Sequence, residues 1–243
     1  MFTFPFTMFS VSEFINEFST SFNGVNENIN CTPESSQEVD NLSAFAWVQL
    51  PTNASTRTVM ANYHSGIGQR AWSLGVLANG NLRLRMSSNG TSDTKSLDTM
   101  GENVENNGWH LIGFTFNFTD QVKLWVDGVE ASYTGTDGSV SAIHTSTANL
   151  YIGSLSNGSE DFLGHIDEVT MWGGSTLTGT DIVNLYNGGV PIDPATLATS
   201  ATLDHYWKMG DGDTSPILKD HAGSNDGNML NMDNTNFVLD VPE

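Results

Sequence analysis

Residues 108–128 read GWHLIGFTFNFTDQVKLWVDG. Side chains alternate in both halves: His110, Ile112, Phe114 and Phe116 share one face of 109–116, and Val122, Leu124 and Val126 share one face of 121–126. A period of two belongs to an extended strand with one face buried. The break at 117–120 joins the two strands as a hairpin. Asp127-Gly128 supplies the next turn, since glycine enters the left-handed region at no steric cost.

The same pattern extends outward. Segments 43–50 (SAFAWVQL), 58–63, 71–78 and 81–86 are strand-length and rich in Val, Leu, Trp and Phe, and Asn79-Gly80 marks a tight hairpin. Segments 149–153 and 162–172 complete the main set. One helix is predicted near 178–187 (TGTDIVNLYN), with Thr178 as N-cap, Asp181 at the capping-box position and Gly188-Gly189 as the stop. Its Ile182, Leu185 and Tyr186 form a stripe that packs on a sheet. After the Pro191 and Pro194 connector, residues 203–243 resume short strands around Trp207 and Met229. Short strands without βαβ alternation or a tandem period predict an all-β antiparallel sandwich with one short helix. The expected organisation is one domain over 18–243, its tail 203–243 completing the same sheets, behind an arm 1–17 carrying Phe2, Phe4, Phe6 and Phe9.

Charge bounds the partners. Eight Lys+Arg against 28 Asp+Glu leave a formal charge of −20 over 243 residues. Such a surface repels nucleic-acid phosphates and anionic membranes, and spare carboxylates suit Ca²⁺. Cys31 is the single cysteine, which excludes an intrachain disulfide and a Cys-based zinc site. Sequons such as those at Asn53, Asn89 and Asn157 accompany an Asn-rich composition. The opening ten residues lack a basic n-region and a long apolar h-region, and no 18-residue apolar run occurs. Neither a signal peptide nor a membrane span is expected.

Three segments, in order, resemble the concanavalin A-like lectin/glucanase family in its laminin G-like, pentraxin-type jelly-roll branch. They are Ser21-Phe-Asn-Gly24, the hairpin 108–128, and Gly164-His-Ile-Asp-Glu-Val-Thr-Met-Trp172 followed by 177–189. The tail segments 206–212 (YWKMGDG) and 220–227 (DHAGSNDG) are similar to one that opens the family's usual module, which implies a permuted or strand-extended sandwich. The tail, with its closing Asp240-Val-Pro242, also resembles marine tailed-phage virion proteins.

The resemblance implies a lectin-like jelly roll. In the family the Asp of the "IDEV" strand helps hold a structural Ca²⁺ with the "FDG" segment, which here maps to Asp167, Asn23 and Gly24; Asn23 stands where an Asp is usual. Retaining glycosidases of this fold need two carboxylates about 5–5.5 Å apart. The E-x-D-x-x-E string of the laminarinase branch is missing. The pairs Glu160-Asp161 and Asp167-Glu168 are adjacent, so alternation directs each pair to opposite faces unless a bulge intervenes. No G-x-S-x-G, H-E-x-x-H or phosphate-binding loop occurs either. The string Asp211, Asp213, Asp220 and Asp226 lacks EF-hand spacing and reads as turn chemistry.

Sugars need an aromatic platform with planar polar partners. Segment 62–70 followed by Trp72 has these ingredients, and its candidate carbohydrate-binding residues are Tyr63, His64, Arg70 and Trp72. The plainer reading makes Trp72 a core residue and His64 an ordinary loop residue. The expectation is a non-enzymatic binding or structural module on a virion surface (capsid decoration, tail or fibre), contacting glycans or a host surface and other virion proteins as a homo-oligomer. A secreted lectin and a glycoside hydrolase stand as alternatives.

Overall fold

The computed structural model describes residues 14–53, 55–117, 119, 121–197 and 203–243. Residues 1–13, most of the expected arm, lie outside them. In chain order the strands are β1 (Ser19–Asn23), β2 (Asn28–Cys31), β3 (Leu42–Gln49), β4 (Arg57–His64), β5 (Gln69–Val76) and β6 (Leu82–Gly90). Next come β7 (Lys95–Thr99), β8 (Trp109–Asn117), β9 (Gln121–Val126), β10 (Val129–Ala131), β11 (Tyr133–Asp137), β12 (Leu150–Ile152) and β13 (Leu163–Gly173). After α1 (Gly179–Tyr186), the tail adds β14 (His205–Trp207), β15 (Ile217–Leu218), β16 (Gly227–Leu230) and β17 (Phe237–Val238).

All pairings are antiparallel. One sheet has the order β10-β9-β8-β3-β13-β1-β17, with β14 also on β13; the other runs β11-β7-β6-β5-β4-β12-β2-β16-β15. Tail strands therefore enter both sheets: β14 pairs with β13, β17 with β1, and β16 with β2. No helix among the described residues is long and apolar enough to cross a membrane.

Alternation sorts the side chains into layers. Ile112, Phe114, Phe116, Val122, Leu124 and Val126 of the β8–β9 hairpin join the main core, where Trp72, Leu74, Leu84 and Ile152 of the opposing sheet meet them. The odd residues Leu111 and Trp125 face the other way. With Phe45, Trp47 and Trp172 they form a second cluster under Ile182 and Leu185 of α1. That helix starts as its sequence predicts: Thr178 Oγ1 accepts the Asp181 N–H at 3.2 Å and Asp181 Oδ2 accepts the Thr178 N–H at 2.9 Å. It stops where Asn187 turns to φ 46°.

Gly113 stands opposite both Phe45 and Trp125 in the ladders. A Cβ there would overlap Phe45 Cδ1 and Ala44 O, and the Phe45 ring is fully buried edge-on against Trp172. Gly113→Ala is expected to lower the unfolding free energy by about 1–3 kcal/mol through overpacking. Urea unfolding checks this, and an unchanged midpoint would refute the packing account.

Candidate functional site

The side of the nine-stranded sheet away from the core carries a lattice of paired charges. On β6, Leu82, Leu84 and Met86 point into the core, so Arg83 and Arg85 point out. Arg83 forks onto Asp98 of β7, with Nε and Nη2 both 2.7 Å from its oxygens. The Asp98 hydrogen bond holds Arg83 above the usual guanidinium range against the opposing pull of burial. Arg85 forks onto Glu160, from the loop between β12 and β13, at 2.9 and 3.1 Å. Thr58 Oγ1 donates to the same carboxylate at 3.1 Å.

Tyr63 of β4 has two guanidinium groups near its ring. The guanidinium carbons of Arg70 and Arg85 sit 5.5 and 5.9 Å from its ring centroid. Its hydroxyl donates to Asp93 Oδ1 at 2.7 Å, and Arg70 Nη1 is 3.5 Å from the same oxygen. Burial and then the Asp93 carboxylate push the Tyr63 phenol above its ordinary range. Next along the sheet, Tyr151 Oη accepts from Asn30 Nδ2 at 3.1 Å, and Asn149 Nδ2 donates to Asn30 Oδ1 at 2.6 Å. The face is neither sealed nor bare: Arg85 and Glu160 side chains are 13% and 25% exposed, Arg70 and Asp93 22% and 26%. Planar forks fixed in place beside aromatic rings can exchange hydrogen bonds with vicinal hydroxyls.

Tyr63 and Arg70 are thus brought together. Trp72 is not with them. It is 0% exposed, tilted against Phe114 at 5.2 Å, and its indole N–H donates to Gln37 O at 2.7 Å. It packs the core, so it is removed from the candidate platform. The half-buried His64 caps the turn Ser65–Ile67 by accepting the Gly66 N–H at 3.2 Å. Arg85, Asp93 and Glu160, which complete this lattice, were not among the sequence's candidate carbohydrate-binding residues. The Arg-x-Arg alternation in β6 against inward Leu and Met was the available signal.

The trio Asp167, Asn23 and Gly24 is not assembled. Asn23 pairs with Leu163, while Asp167 lies beyond the Thr20–Ile166 pair, opposite Trp47. Four strand positions amount to roughly 13 Å. Asn23 Oδ1 is occupied by the Val25 and Asn26 N–H groups at 2.8 and 3.2 Å. Asp167 is 0% exposed and takes Asn16 Nδ2 at 3.0 Å and the Glu168 N–H at 2.9 Å. These three residues do not fit a calcium ion. No group of three or more His, Cys, Asp or Glu among the described residues is placed to hold a metal.

Strict alternation also fails at Asp167-Glu168. The β13–β3 register slips between Asp167 and Thr170, with Glu168 at φ 47°. This bulge leaves both carboxyls buried, and after burial itself the Asp167 charge is the largest influence raising Glu168. Glu168 accepts the Tyr206 hydroxyl. Neither group opens to solvent, so the pair does not make a glycosidase dyad. In the tail, Asp213 and Asp220 collect nearby backbone N–H groups as turn residues do, whereas Asp211 reaches back to the N–H groups of Glu17 and Phe18.

Solved structures share this architecture. A Bacteroides ovatus protein designated as carbohydrate-binding superposes with a TM-score of 0.67 at 18% identity, covering 93% of this chain and 61% of that one. This chain therefore spans under two thirds of that protein's length. The heptameric SAP-like pentraxin of Limulus polyphemus gives 0.51 at 17% identity over 72% and 84%. Domains LG4-5 of the mouse laminin alpha1 chain give 0.51 at 12% identity over 69% and 44%. At these identities the likeness is one of fold. No curated protein sequence matches the chain. The family model of the concanavalin A-like lectin/glucanases superfamily matches residues 23–183, two thirds of the sequence, and together with the two antiparallel sheets this places the chain in that superfamily.

Proposed function

We propose that this chain is a lectin-type module that binds glycans on the outer face of the nine-stranded sheet without cleaving glycosidic bonds. The observation that carries this reading is the Asp93–Tyr63–Arg70/Arg85–Glu160 lattice, which holds two aromatic-stacked guanidinium groups and two carboxylates on a partly exposed, rigid sheet. Rigid placement lowers the ordering cost of binding a polyhydroxylated ligand. The designation of the Bacteroides ovatus protein as carbohydrate-binding supports the same class of ligand. In this reading the module sits on a phage particle as a decoration, tail or fibre component in contact with other virion proteins. The tail resemblance and the strong acidity are its support.

A glycan array paired with a reducing-sugar assay is the test. Binding is expected without sugar release. Arg85→Ala and Asp93→Ala are each expected to weaken the Kd at least about tenfold, or 1.4 kcal/mol, with the far-ultraviolet dichroism unchanged. Retained affinity in both variants would move the site elsewhere, and released reducing sugar would restore the hydrolase reading. Mass spectrometry of purified particles tests the location: the chain should co-purify with capsid or tail proteins.

A further inference from the structure

Three side chains distant in sequence meet at the start of β14. Ser36 lies in the 3-10 turn Ser35–Glu38, His205 opens β14, and Asp220 follows β15. His205 Nδ1 is 2.7 Å from Asp220 Oδ2, and its Nε2 is 3.0 Å from Ser36 Oγ. The carboxylate of Asp220 also accepts the N–H groups of Tyr206, Ala222, Gly223 and Asn225 at 2.9–3.1 Å. Burial works to raise Asp220, but the His205 ring and the amides of Gly223 and Tyr206 outweigh it and hold the group at about 2. The group stays ionised at neutral pH.

An ionised acceptor at Nδ1 requires a ring proton there, and in the neutral ring this leaves the Nε2 lone pair facing the Ser36 hydroxyl. Offset stacking on Trp207, with centroids 5.2 Å apart and planes 15° apart, helps to hold the ring in place. His205 and Asp220 are buried and Ser36 is half-buried, so the hydroxyl is the member nearest the surface. A hydroxyl, a base and a residue orienting that base, all in contact, are the parts of an activated serine.

We propose that Ser36 is a nucleophile for acyl transfer from small carboxylic esters that carry no negative charge, with His205 as its general base and Asp220 positioning the ring. Anionic esters are excluded by the surroundings: Glu34 Oε2 lies 3.8 Å from Nε2, and Asp204 adds a further carboxylate beside the imidazole. Ser36 Oγ bonds to the acyl carbon while its proton passes to Nε2. The bond to the leaving alkoxide then breaks, and that oxygen takes the proton from Nε2. Water repeats the sequence, releasing the acid and restoring the hydroxyl. This chemistry is separate from the glycan face and does not depend on it.

The full chain is treated with an alkyl fluorophosphonate and, separately, with p-nitrophenyl acetate, followed by intact-mass and peptide mapping. A single adduct at Ser36 is expected. Ser36→Ala should lack it while keeping the native dichroism, and His205→Gln should form it at least about 100-fold more slowly. Should His205→Gln fail to fold, the comparison of folded with urea-unfolded wild type decides, since unfolding disperses the three residues. No adduct at Ser36, or equal labelling before and after unfolding, overturns the proposal and leaves a purely structural hydrogen bond.

Discussion

Replacing Glu105 by leucine is expected to lower the unfolding free energy by about 3–5 kcal/mol, the cost of orphaning a buried charge. Arg57, at the start of β4, is fully buried and so is Glu105, and the two form an ion pair. The guanidinium also donates to Leu163 O and Pro51 O, both at 3.0 Å. Thr52 Oγ1 donates to Glu105 O at 3.0 Å. One cation thus joins the 51–53 loop, the 103–107 loop and the start of β13 at one end of the sandwich. Burial already draws the Arg57 guanidinium down to about 10. Without Glu105 the same positive charge keeps its two carbonyls and loses its counter-ion, and the buried Nε has no hydrogen-bond partner among the described residues to compensate. The double variant Arg57→Met/Glu105→Leu removes the charge with its partner and should cost less than Glu105→Leu alone. Denaturant unfolding of the three variants measures this. A loss below about 1 kcal/mol in Glu105→Leu would show that solvent reaches the pair.

Much of the sandwich was legible because large apolar residues alternate through the hairpin 108–128, β3 and β13. The signal failed where strands are short or carry polar residues. β11 (YTGTD) is exposed along nearly its whole length, β7 (KSLDT) has polar residues outward, and β2 (NINC) is four residues long. Such strands are specified by their neighbours and not by their own pattern. The site was half legible for a related reason. Arg70 and Trp72 have the same parity, and strict alternation gives them one face. The β5–β6 register slips between them, Arg70 pairing with Gly90 and Trp72 with Met86, so Trp72 turns into the core while Arg70 stays outside. The bulge at Asp167-Glu168 defeats parity in the opposite sense. Ser36, His205 and Asp220 had no local signal at all, since only the closure of the tail onto the sheets brings them together.

The second large effect concerns the carboxyl pair of that bulge, and stability is expected to fall as pH rises from about 5 to 8. Burial raises both Asp167 and Glu168 well above the ordinary carboxylate range; the Asp167 charge further raises Glu168, and that of Asp211 raises both. Glu168 Oε1 and Asn16 Oδ1 are buried with no hydrogen-bond partner among the described residues. Glu38 works in the same direction: burial pushes it up to about 7, against the hydrogen bonds from the Ser146 backbone and the Asn62 side chain. The unfolded chain releases these protons near pH 4–4.5. Below that range both states are protonated and nothing is lost. Above it the unfolded state holds fewer protons than the native state, so stability declines until the native groups ionise as well. Asp220, held at about 2, has the opposite sign and loses its contribution only as pH falls from about 4 towards 2. The two trends place the maximum on the mildly acidic side. Asp167→Asn/Glu168→Gln keeps the volume and removes the charges. It should raise the unfolding free energy at pH 8 by on the order of 2 kcal/mol and flatten the profile between pH 5 and 8. Thermal melts of wild type and double variant across that interval are the measurement; parallel profiles would mean that the pair is already charged and compensated in the native state.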